Sequence, residues 1–154
     1  MELTNFIALS VIVVAALGIG IGTMTWAYSG KGSISVLFKE PFLNSPDFPA
    51  TDAGSKAAVY FQQGIEAYLS ENYRQAQDKF TSALEQVSTA EAYHNRGLIF
   101  ANLRSDGEAV ADLIRASELY QQQGNVGAID TIKQNLAALK QRKLEREKQK
   151  AVAT

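Results

Sequence analysis

The sequence predicts an all-α protein, with one N-terminal membrane-spanning helix followed by a small array of paired helices. Residues 6–28 form one uninterrupted, uncharged apolar run. Residues 57–122 repeat themselves at an offset of 33. All three prolines, Pro41, Pro46 and Pro49, fall between these two regions.

The run FIALSVIVVAALGIGIGTMTWAY is about 35 Å long as a helix, enough to cross a hydrocarbon core of about 30 Å. Trp26 and Tyr28 sit at its C-terminal end, where interfacial aromatics belong, and Lys31 follows. A cleaved signal peptide is the alternative, with Thr25-Trp26-Ala27 as a passable cleavage site. The n-region MELTN argues against it, because it has no Lys or Arg. Residues 1–30 are therefore read as a single-pass anchor in the lipid bilayer. Lys31 and Lys39 lie on the C-terminal flank, which places the following domain on the cytosolic or stromal side. Gly18 and Gly22 form GxxxG, a flat stripe on which another transmembrane helix can pack. The overlapping GxGxG is no phosphate loop, since no strand precedes it.

Residues 31–56 read as a linker. Each proline lacks a backbone N–H and restrains its predecessor, so no long helix survives there. Its apolar residues Ile34, Val36, Leu37, Phe38, Phe42 and Phe48 make it more than a spacer. The membrane surface, the domain and a partner are all open as its resting place.

In the repeat, Tyr60 matches Tyr93, Gly64 matches Gly97, Ala76 matches Ala109, Phe80 matches Leu113 and Ala83 matches Ala116. Helices are expected near 57–70, 73–87, 90–103 and 106–122. Ser88-x-x-Glu91 and Ser105-x-x-Glu108 read as capping boxes, and Asn72-x-x-Gln75 as a weaker one. Gly124-Asn125 stops the fourth helix. A fifth starts at Val126, with Ala128, Ile129, Ile132, Leu136 and Leu139 at helical spacing.

This period, with aromatic, glycine and alanine at these positions, resembles the tetratricopeptide repeat (TPR) family. The resemblance implies two TPR units over 57–122. Residues 123–150 then serve as a capping helix with a basic tail, closing the apolar end of the array. The layout of one anchor plus a short TPR domain resembles the membrane-anchored TPR proteins of cyanobacterial and plastid thylakoids that assist photosystem I assembly.

The family resemblance places a partner-binding groove on the first helix of each unit. It is lined by Ala58, Phe61, Ile65 and Tyr68 in unit one. Unit two contributes Glu91, His94, Leu98 and Ala101, with Asn102 beside them. Spacings of three and four put each set on one helical stripe. Phe61 and Ile65 stand where chaperone-binding TPRs carry a carboxylate clamp, so that ligand class is not expected. Residues 34–48 of the same chain are an alternative occupant.

The implied function is a membrane-anchored adaptor in protein–protein interaction, for assembly or stabilisation of a photosynthetic membrane complex. Its partners would be subunits of that complex or their peptides. A permanent accessory subunit and a targeting receptor are the alternatives.

Composition excludes most else. Lys and Arg number 15 against 16 Asp and Glu, a net charge of −1, so no nucleic-acid partner is expected. There is no cysteine and one histidine, His94, which removes thiolate and multi-histidine chemistry. No enzyme activity, catalytic residue, metal, cofactor or small-molecule substrate is expected. Residues 57–139 carry ten acidic and six basic groups, the acidic ones expected on outward helix faces. Residues 140–154 carry six basic and two acidic groups and read as a solvated helix end.

Overall fold

The computed structural model describes residues 36–152, which lie within one compact unit, Val36–Thr154. The expected anchor and the Gly18–Gly22 stripe lie outside the described residues. Among the described residues no helix is long and apolar enough to cross a membrane. The described chain is all-helical: an extended segment, residues 36–50, and then five helices. These are α1 (Asp52–Leu69), α2 (Tyr73–Gln86), α3 (Ala90–Asn102), α4 (Asp106–Gln123) and α5 (Val126–Val152).

Helix α1 begins at Asp52, ahead of the expected start at residue 57. The cause is local: Thr51 is extended and its hydroxyl accepts from the Gly54 N–H at 3.1 Å, an N-cap just beyond the last proline. Residues 52–56 are thus helix rather than linker.

Helices α1 and α2 form an antiparallel hairpin, and so do α3 and α4. The two hairpins are built alike. A Cβ on Gly64 would come within 2.9 Å of the Phe80 ring, and one on Gly97 within 3.0 Å of Leu113. The second pair is the first moved along by one repeat. Each glycine lets the backbone of one helix approach a large side chain of the next. Ala76, Ala83, Ala109 and Ala116 are fully buried and keep the helices close. The turns repeat as well. Glu71 (φ 57°) and Arg104 (φ 66°) occupy matching repeat positions, and both adopt the left-handed conformation. Each turn is closed by the same long bond, Asn72 N–H to Ala67 O and Ser105 N–H to Phe100 O, both 2.9 Å.

The capping boxes are corrected. Thr89, not Ser88, caps α3; it is extended and its hydroxyl accepts from the Ala92 N–H at 3.4 Å. That shift puts Glu91 at the second helical position, where it is buried. Ser105 and Asn72 are cap residues without a side-chain cap bond.

The outward placement of acidic groups is also corrected. Asp112 of α4 is 8% exposed and takes a bidentate ion pair from Arg96 of α3, at 2.7 and 3.0 Å. Arg96 also donates to Thr81 of α2 at 3.2 Å, so one guanidinium ties three helices. It lies over the Tyr93 and Phe100 rings as well.

Helix α5 packs on α4 and α3 through a stripe of Ala128, Ile132, Leu139 and Arg142. Arg142 does not belong to a solvated helix end. It is buried, donates to the Ala101 carbonyl at 2.8 Å, and pairs with Asp106 together with Arg146. Two basic residues of the expected tail therefore lock α5 onto the start of α4.

Candidate functional site

The extended segment lies on the face formed by α1 and α3, and its main chain is held by two asparagines of α3. Asn102 accepts from the Phe38 N–H at 2.9 Å and donates to the Phe38 carbonyl at 2.6 Å. Asn95 does the same for Phe42, at 2.7 and 2.9 Å. The Tyr68 hydroxyl of α1 donates to the Phe38 carbonyl at 2.9 Å. The spacing explains the fit. Seven helical residues rise about 10.5 Å, and four extended residues span at most about 14 Å. One strand running opposite to α3 can therefore meet both amides.

Side chains add ring contacts. Phe42 stacks on His94, centroids 4.5 Å apart, and meets the edge of Tyr120 of α4 at 5.9 Å. Phe48 meets Phe61 edge-on at 5.9 Å, and Phe61 in turn meets Phe80. Pro41 and Pro46 are buried, which suits residues with no N–H to satisfy.

The expected groove residues are thus partly gathered. Phe61, Tyr68, His94, Leu98 and Asn102 all line the seat of the segment. Glu91 borders a cleft of about 960 Å³ beside Leu43–Asp47. Ile65 is buried in the core cluster and Ala58 is half-buried. Ala101 is fully buried, and its carbonyl serves the α3–α5 packing. Sequence reasoning did not single out Asn95, Tyr120 or Asn135. Asparagine is a poor helix-interior residue, so its recurrence at Asn95 and Asn102, seven apart, was a usable signal. Tyr120 and Asn135 come from other helices and had none.

Burial governs the electrostatics. His94 is completely enclosed, which pushes its pKa down to about 4, so the ring is neutral at pH 7. The Asn135 amide of α5 contacts Nε2 at 2.9 Å, donating to the neutral ring. That leaves the ring proton on Nδ1, which has no partner among the described residues. Burial also raises the Glu91 carboxyl above its usual range, with Asp47 adding to the effect. The Tyr68 and Tyr120 hydroxyls are likewise raised by burial and stay protonated.

No group of three His, Cys, Asp or Glu placed to hold a metal occurs among the described residues. The arrangement offers main-chain hydrogen bonding and aromatic seats, and its chemistry is that of holding an extended peptide. No family model, curated protein or solved structure matches this chain.

Proposed function

We propose that this protein is a membrane-anchored adaptor of the tetratricopeptide type, whose α1–α3 groove holds extended segments of membrane-complex subunits. The observation that carries the reading is the pair of asparagine clamps. Each side-chain amide pairs with one residue's N–H and C=O, as a strand edge would, and so recognises backbone before sequence. Support for the repeat type comes from the glycine crossings and left-handed turns, which recur at matching positions of the two units. Support for the membrane comes from the uncharged run at 6–28.

The test is affinity purification of the tagged full chain from detergent-solubilised membranes, with stoichiometry of what is recovered. Because the layout resembles thylakoid TPR proteins, photosystem I is examined first. Sub-stoichiometric recovery with immature complexes is expected. Near-equal stoichiometry with one mature complex would instead make it an accessory subunit. Recovery from the aqueous fraction after carbonate treatment would remove the anchor.

A further inference from the structure

Resting on that reading, we infer that residues 37–48 are a built-in competitor, displaced from the groove by a partner's extended segment of the same chemistry. That partner segment carries a large apolar residue and, four residues on, an aromatic one preceded by proline, as in Phe38-Lys39-Glu40-Pro41-Phe42.

The contacts define this ligand. Asn95, Asn102 and Tyr68 share five hydrogen bonds with the main chain of Phe38 and Phe42, donating three to the carbonyls and accepting two from the N–H groups. A clamp on main chain accepts any sequence that can lie extended, so selection falls to the rings. Phe42 fills the seat made by His94 and Tyr120. Proline before it costs no hydrogen bond and pre-orders the strand, which lowers the entropy lost on binding. Lys39 and Glu40 are exposed, leaving those positions unrestricted.

The seat is also built to open. Phe38, Phe42 and Phe48 are only half-buried, and Leu43 is 66% exposed. Segments with few buried contacts sit at the low-stability end of a fold. Asn102 is half-buried even with the strand seated, so water can take up its amide when the strand leaves. Asn95 retains its bond to the Glu91 carbonyl at 3.1 Å. The five helices have their own core, in which Phe80, Leu113 and Ile132 are at most 1% exposed. The segment enters α1 only a few residues after Phe48. Its local concentration at the groove is therefore about millimolar. A partner must match its chemistry, or be concentrated in the same membrane, to replace it.

The probe is a synthetic peptide of the segment's own sequence, VLFKEPFLNSPDF. It is added at millimolar concentration to the isotope-labelled full chain in detergent micelles, and amide exchange is followed by NMR. The Phe38 and Phe42 amides of the protein should exchange about tenfold faster, with the helix amides unchanged. In parallel, the fluorescent peptide should bind the full-length Phe38→Ala/Phe42→Ala variant at least about tenfold more tightly than wild type. Adding Asn95→Ala and Asn102→Ala should abolish that binding. If the peptide binds both chains equally and the Phe38 and Phe42 amides stay protected, the competitor role falls while a peptide site stands. If a folded double variant binds no peptide, the peptide-groove reading itself falls, and this inference with it. If the double variant loses its helical circular dichroism, the exchange measurement on the unaltered chain decides alone.

Discussion

The Asn102 side chain grips both main-chain polar groups of Phe38, accepting from its N–H at 2.9 Å and donating to its carbonyl at 2.6 Å. It also lies 3.3 Å from the Tyr68 hydroxyl, which shares the same carbonyl. Asn102→Ala should lower unfolding stability by about 1–2 kcal/mol, since a lost hydrogen bond at a partly buried site costs that much. The loss should be local: the Phe38 amide should lose exchange protection before any helix amide. Uniform loss of protection across α3 would show that Asn102 supports the fold rather than the strand.

His94 should make stability depend on pH. Its pKa is about 4 when folded and about 6.5 in a free chain, so unfolding takes up a proton below pH 6.5. This contribution is fully present above pH 6.5 and is lost as the pH falls towards 4, by about 3 kcal/mol in all. The groups around it are Glu91 on its own helix, Tyr120 on α4, Asn135 on α5, and Lys39 and Glu40 in the segment. Glu91 works in the opposite sense, because its raised pKa favours the folded state as its carboxyl protonates. Urea titrations of wild type and His94→Phe, from pH 7.5 to pH 4, isolate the histidine. The stability gap between the two chains should move against wild type on acidification, and a constant gap would refute the assignment.

Arg96→Met should destabilise by about 2–4 kcal/mol, because it strands the Asp112 carboxylate between α3 and α4. Replacing both, as Arg96→Met/Asp112→Leu, should recover most of the loss. Thermal melts of the two single variants and the double variant give the coupling directly.

Gly97→Leu should destabilise by about 1–3 kcal/mol through overpacking, since even a Cβ there meets Leu113 and the Ala109 carbonyl within 3.3 Å. An unchanged denaturation midpoint would mean that the crossing can relax freely.

Glu71→Gly should stabilise. Glu71 holds φ at 57° in an exposed turn, a conformation that costs an L-residue about 1–2 kcal/mol. Glycine loses more entropy of its own on folding, so the expected net gain is about 0.5–1 kcal/mol. A lowered melting temperature would show that the Glu71 side chain stabilises the turn.

Helical periodicity and the internal repeat made the helices and their glycine crossings legible, because Gly64 and Gly97 each mark a place where no Cβ fits. Helix starts are less legible. Ser88 and Thr89 are both competent caps, and only the extended backbone at Thr89 decides between them. Thr51 is hidden because the prolines before it read as linker up to the first apolar repeat position. Buried charge is invisible for a different reason. Asp112 and Arg142 look like surface residues until a partner from another helix is placed beside them, and no local pattern encodes Arg96 or Asp106 as that partner. Spacing put Glu91, His94, Leu98 and Ala101 on one stripe of α3, and only the family resemblance marked that stripe as a groove. That Phe38 and Phe42 fill it depends on the segment before α1 folding back onto α3, past the whole first hairpin, and sequence periodicity does not report such a return.

The seated strand also governs reach. While seated, residues 37–48 are held against the helices by the clamps at Phe38 and Phe42. Released, these twelve residues extend to at most about 43 Å of chain ahead of α1. A partner that takes the groove therefore also lets out line: the slack that the clamps had drawn in is returned to the chain that leads into the helical body.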